Sequence, residues 1–168
     1  MVLMAIIIIS SCAKKDAAPV TPEPNNEDLS LYQNSKDTAG FVWYKNSSAI
    51  LNIASLPGHD SPKIRTRYNY KAAEKLDING KVITGSVFAE NSLIVKELFD
   101  ASNNFVEYAV MCKAPSSPNA DAYGWVWGIY KPDGTVESSA TGLGASCTGC
   151  HKNTAGSIDL TLMNAGHP

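Results

Sequence analysis

Apolar residues in this chain gather in short runs separated by polar turns, and long stretches of helical period are absent. Residues 92–99 form one such run, closed by the polar turn 100–104, and residues 105–112 follow as its expected antiparallel partner. A third run, 123–130, ends at Lys131-Pro132-Asp133-Gly134, a turn by composition. Residues 63–70 alternate as a half-buried strand does. Helix is expected only in short pieces: near 28–36, as another turn near 46–54, and over 71–76, stopped at Asn79-Gly80. Pro57-Gly58-His59-Asp60-Ser61-Pro62 reads as a loop. The predicted class is therefore mainly β with some α, an antiparallel sheet or sandwich carrying a few short helices.

The first residues follow a different pattern. Residues 2–9 are continuously apolar, too short for a membrane span of about 20 residues but the length of a signal-peptide core. Ile9-Ser10-Ser11-Cys12 resembles a bacterial lipobox, in which the cysteine is lipidated after cleavage, although no basic stretch precedes the apolar core. Residues 12–27 hold prolines among polar residues without apolar periodicity, the composition of an extended tether. The expected organisation is a lipoprotein signal over 1–11, a tether over 12–27 and one domain over 28–168. Such a protein sits outside the cytoplasm, held to a membrane by its lipid anchor. A formal net charge of −2 without a basic cluster gives no reason to expect a nucleic-acid partner.

Candidate chemistry is concentrated near the end of the chain, in Cys147-Thr148-Gly149-Cys150-His151. Two thiols at this spacing can each add across a vinyl group of haem, and the adjacent imidazole then ligates the iron. A zinc site would want four ligands, typically from two such pairs, and Cys12 and Cys112 are isolated. A thioredoxin-type pair belongs near the front of an α/β unit, whereas this one follows a β-rich stretch and a run of small residues, 140–146. The motif is expected to open a short helical turn. A four-helix cytochrome also carries this motif near its end, but the 92–130 stretch argues against a bundle.

In order along the chain come Phe41-Val42-Trp43, Pro57-Gly58-His59, Ile64-Arg65-Thr66, the block from Ser92 to Leu98, Val110-Met111 followed by Lys113, Gly124-Trp125-Val126-Trp127, Pro132-Asp133-Gly134 and the C-x-x-C-H run. From about Val42 to Asp159 the chain resembles the cytochrome P-460 family of c-type haem proteins, to which the β-type cytochromes c-prime are related. The resemblance implies a largely antiparallel β fold, a possible homodimer, and haem c held by Cys147 and Cys150 with His151 on the iron. It also implies a five-coordinate iron that oxidises hydroxylamine or binds nitric oxide, with electrons exchanged with an external acceptor or donor. Members that oxidise hydroxylamine join a lysine to the porphyrin; the matching residue is Lys96, and the matching pocket arginine is Arg65. Those members carry a carboxylate just after the haem motif, where this chain has Lys152, Asn153 and Thr154. The proton-transfer group would then have to be Glu97 or Asp159.

The residues themselves sharpen some of these expectations. Lys96 shares a strand face with Ile94 and Leu98, so it either snorkels to solvent or points into a pocket. Arg65 and Arg67 share a face, and surface placement suits Arg67 better. Trp125, Trp127 and Tyr123 share another face and suit either a pocket wall or the core. Met111 reads as core, Met163 as part of a tail that at most folds back, and His59 as a loop residue. No strong sixth ligand is evident, so the iron's distal side is expected to be open. Non-catalytic nitric oxide binding and plain electron transfer are the alternatives to enzymatic turnover.

Overall fold

The computed structural model describes residues 25–53 and 59–166. Cys12, the apolar leader, Pro57-Gly58 and His167 lie outside the described residues. Seven strands form one antiparallel sheet: β1 (Val42–Trp43), β2 (Leu51–Asn52), β3 (Lys63–Tyr68), β4 (Leu93–Phe99), β5 (Phe105–Lys113), β6 (Trp125–Tyr130) and β7 (Val136–Ser138). Their order is β1-β3-β4-β5-β6-β7, with β2 also paired to β3. The mainly β class is as expected, but the described strands make a single sheet and not two facing ones. The turn expected near 46–54 is instead a 3-10 turn at Tyr44–Asn46 followed by β2, a short strand paired with β3. Two- and three-residue strands such as β1, β2 and β7 are too brief to show a period in sequence.

Alternation along the central strands sends side chains into two separate cores. Leu93 and Val95 of β4, Val110 of β5, and Val126 and Tyr130 of β6 pack on one face with Leu31. Ile94 and Leu98, Met111, Trp125 and Trp127 pack on the other with Tyr44, Tyr68, Phe88 and Met163. Burying each such large apolar side chain contributes about 1.5–3 kcal/mol.

The first face is covered by α1 (Asn26–Lys36), which begins inside the stretch read as tether. Asn25 caps it by accepting from the backbone of Glu27 (2.8 Å) and Asp28 (3.0 Å), and Asp28 answers back to Asn25, a capping box. The Asp28 carboxylate, fully buried, also accepts from Tyr130 Oη (3.0 Å), Ala140 N–H (2.8 Å) and Ser139 Oγ (2.6 Å). It pins the helix to β6 and to the turn after β7. Gly128 is required here, because a Cβ at that position would stand 2.0 Å from Tyr130 Oη.

The second face is covered by the connection from β3 to β4, which includes α2 (Tyr70–Ala73), and by the C-terminal region. That region contains α3 (Thr148–Asn153), which holds most of the C-x-x-C-H run, and α4 (Met163–Gly166). A bridge between Ile158 and Thr161 tightens the turn between them. The tail thus folds back over the sheet and buries Met163.

Candidate functional site

The sheet register places Thr66 beside Lys96, Lys96 beside Ala109, and Ala109 beside Ile129. All four border one cavity. The next row, Ile94, Met111 and Trp127, continues its floor. Small side chains on either side of Lys96 (Thr66 and Ala109) leave a depression where the flanking rows are filled by larger ones. Thr161, Leu162 and Met163 from the returning tail, Cys147 and His151 from the haem-type motif, and His59 complete the lining. Every carboxylate is missing from this set, which is otherwise largely apolar.

The motif is fixed against the floor through Trp127. Its indole N–H donates to Asp121 Oδ2 at 2.8 Å, and Thr148 Oγ1 donates to the same oxygen at 3.1 Å. Asp121 Oδ1 accepts from the backbone of Tyr123 (2.8 Å) and Trp125 (2.9 Å), so one carboxylate joins the start of α3 to β6. The His151 ring stands at 4.9 Å and 74° from Trp127. Gly144, at φ +66, lets the chain turn tightly against Trp127, since a Cβ there would lie 2.4 Å from its ring.

His151 Nδ1 is 2.6 Å from the Leu160 carbonyl. A carbonyl can only accept, so Nδ1 carries the proton and Nε2 keeps a free lone pair. This is the arrangement by which a neighbouring acceptor orients a metal-binding histidine. Burial holds the His151 pKa down to about 4, with the charge of Lys96 adding to the effect and the Leu160 bond opposing it. His59 is pushed further, to about 3, by burial and by Lys96 and His151 beside it. Both rings are neutral near pH 7. Burial over the apolar floor lowers Lys96 to about 8, with Cys150 acting in the other direction. At pH 7 about a tenth of Lys96 is then the neutral amine, far above the fraction for an ordinary lysine.

The expected site residues divide into two groups. Cys147, His151 and Lys96 border the cavity together, with Cys150 on the same short helix as His151. Lys96 points into the pocket and not to solvent. Arg65 does not join them. It lies on the opposite face of β3 from Thr66, pairing with Glu97 at 2.5 Å and stacking over Trp43 at 4.7 Å. The expectation of a distal-pocket arginine at Arg65 is therefore corrected: strand alternation turns it away from the cavity. The expected contrast with Arg67 is also reversed, since the Arg67 side chain is wholly buried and that of Arg65 is 29% exposed.

Neither candidate acid reaches the cavity. Glu97 is held between Arg65 and Arg67 on the far face. Asp159 accepts from Lys113 Nζ (3.0 Å), Phe88 N–H (2.8 Å) and Trp125 Nε1 (3.4 Å), clamping the tail to the sheet. Met111 and Met163 both border the cavity, the latter accepting a hydrogen bond from Thr66 Oγ1 at 3.2 Å. Tyr123 precedes β6 and is exposed, with Lys152 over its ring at 5.4 Å, so it does not share the tryptophans' role. His59, read as a loop residue, sits on a loop but places its ring in the cavity.

Sequence reasoning missed Asp121, which ties Trp127 to Thr148, and named Asp159 only as a candidate acid and not as the clamp that joins the tail to Lys113 and Phe88. The aspartate-to-glycine loop Asp121-Ala122-Tyr123-Gly124 was the only local sign of the first.

These residues suit a haem. The cavity is apolar, one thiol lines it, a second stands on the adjoining helix, and an oriented imidazole has its ligating nitrogen free. Among the described residues no three His, Cys, Asp or Glu side chains converge to hold a bare metal ion. A family model described as Cytochrome P460 matches residues 43–161, which spans β3 to β7, Lys96, Cys147 and His151. No curated protein and no solved structure matches the chain.

Proposed function

This chain belongs to the cytochrome P460 family, and on that premise we propose a haem c protein that binds or oxidises small nitrogen species. Cys147 and Cys150 would each add S–H across a haem vinyl group, sulfur bonding to one carbon and hydrogen to the other. His151 would ligate the iron through Nε2. The haem supplies the redox-active iron on which nitric oxide or hydroxylamine binds, and an external partner takes up or supplies electrons. The observation that carries the reading is the His151 Nδ1 bond to Leu160, which orients the motif's imidazole beside a carboxylate-free apolar cavity.

Lys96 has two roles in this reading. Its side chain would contact the macrocycle, and its neutral fraction would supply the nucleophile for a bond to the ring. In that step an amine N–H and a ring C–H are lost, and an external oxidant of the peroxide class takes up the two electrons. With no acid in the cavity, protons released from hydroxylamine would pass to the neutral fraction of Lys96. Non-catalytic nitric oxide binding is the second reading, favoured by that same missing carboxylate. Lipidation of Cys12 would hold the domain at the outer side of a membrane, where haem c is attached.

Purified protein tests the reading directly. Haem that stays on the chain in a denaturing gel, and leaves with Cys147→Ala plus Cys150→Ala, supports thioether attachment. Hydroxylamine-dependent reduction of an artificial acceptor separates turnover from binding. A protein that matures without haem sinks the reading. Tryptic mass spectrometry checks Lys96: a haem-bound peptide containing it supports the cross-link, and a free one refutes it.

A further inference from the structure

We propose that His59 is the second axial ligand, so that the resting iron is held between two imidazoles and an incoming small molecule must displace His59. The inference rests on the haem reading above and departs from the open distal side expected from sequence. Its basis is geometric. The rings of His59 and His151 face the same cavity with centroids 6.4 Å apart and planes at 87°. A ligating imidazole nitrogen sits about 2.0 Å from its metal, and the ring centroid roughly 1.1 Å behind that, so two imidazoles on opposite sides of one metal have centroids about 6.2 Å apart. The observed spacing admits one atom between the rings.

His59 is also chemically available. Its ring makes no hydrogen bond to any described residue, although it lies in a mostly apolar cavity. The residue is half-buried, and a metal would give its ring nitrogen a partner there. The competing sulfur is less free, because Met163 already accepts from Thr66 Oγ1. Met111 is bound into the sheet floor between Ile94 and Trp127.

The placement of His59 suits a ligand that lets go. It lies on the connection between β2 and β3, whose base is closed by the Ile53 N–H to Pro62 carbonyl bond at 2.8 Å. His59 belongs to no described strand, so moving its ring off the iron would break no strand pairing among the described residues. His151 is different: it is held on α3 with Nδ1 tied to Leu160, and the flanking cysteines would fasten it covalently to the haem. One ligand is fixed and the other is exchangeable. The site would then be shut to weak ligands and open to strong ones such as nitric oxide or cyanide.

The test uses the full-length, haem-loaded protein, read by absorption and electron paramagnetic resonance spectra in the ferric state. A low-spin spectrum with two nitrogen ligands is expected for the natural chain, converting to high spin in His59→Gly and returning when free imidazole is added. Met163→Leu should leave the low-spin spectrum unchanged. If His59 is bound nine-tenths of the time, His59→Gly raises the apparent cyanide affinity about tenfold. A high-spin natural protein overturns the proposal, as does a low-spin spectrum that survives His59→Gly. A chain that carries no haem overturns the parent reading along with it, and the denaturing gel identifies that case separately.

Discussion

Glu97→Gln isolates the charge cluster on the far side of β4 from the cavity. Glu97 receives Arg65 through Nε (2.6 Å) and Nη2 (2.5 Å) on one oxygen and Arg67 Nη1 on the other. The amide keeps the shape of the side chain but removes the only negative charge shared by the two guanidiniums. The Arg67 side chain has no exposure, and its remaining polar contact is the Ser35 carbonyl, with the faces of Phe41, Trp43 and Tyr108 around it. Leaving a buried charge without its partner costs about 3–5 kcal/mol. Arg65 is 29% exposed, and its removal leaves Glu97 paired to Arg67, so Arg65→Ala should cost about 1 kcal/mol or less. In urea, with a slope of roughly 2 kcal/mol per molar, Glu97→Gln should lower the midpoint by about 2 M and Arg65→Ala by about 0.5 M or less. Circular dichroism of the haem-loaded proteins measures both. A Glu97→Gln midpoint within ~0.5 M of the natural chain, or an Arg65→Ala loss equal to it, would refute the argument that Arg67 depends on Glu97.

Three further outcomes follow from individual residues. Gly144→Ala forces a side chain into the left-handed region, at about 1–2 kcal/mol, and against Trp127; thermal midpoint and haem content should both fall, whereas Gly142→Ala, with open space around its Cβ, should change neither. Burial raises the Cys112 thiol to about 11 from 9.0, so its alkylation at pH 8 should run about 100-fold slower than that of an ordinary thiol, followed at its own peptide. Because the folded value is the higher one, the stability Cys112 contributes is complete below pH 9 and lost as pH climbs through 11, and Cys112→Ala should remove that part of the pH dependence. Burial instead lowers Lys96 from 10.5 to about 8, so between those values the unfolded chain binds more protons and stability rises with pH. In the Cys147→Ala, Cys150→Ala background, Lys96→Met should gain about 3 kcal/mol at pH 7 and abolish the rise, and a loss at pH 7 would contradict it.

Central strands and the haem-type motif were legible because both are local signals. Residues 92–99 and 105–112 carry their period in adjacent positions, and the C-x-x-C-H run is five residues long. Placing Lys96 on the face of Ile94 and Leu98 needed only alternation, and the structure agrees. Alternation also separates Arg65 from Lys96, but only when the pairing is known. Arg65 lies opposite Glu97 in the register, so its side chain shares the face of Glu97 and not that of Lys96. A single chain read without its partner strands offers no way to see that. The tail was equally hidden: residues 158–166 have no period, and their order comes from Asp159 meeting Lys113 and from Leu160 meeting His151.

His59 shows how these two kinds of information combine. Its neighbours in sequence are proline, glycine, aspartate and serine, which describe a loop correctly and say nothing of where its ring goes. β2 and β3 pair Leu51 with Ile64, and His59 borders the same cavity as Thr66 and Lys96. Thr66 and Ala109 are the small residues of the row that holds Lys96, and the His59 ring from this loop and the His151 ring from α3 border the same cavity. One sheet row thus bears on three things together: where the Lys96 pKa is lowered, where a macrocycle would fit, and which two imidazoles would face each other across it. If Ala109 is enlarged to leucine, the depression fills and all three should fail at once. Haem content would drop, the low-spin signal would go, and the strands on either side would remain paired.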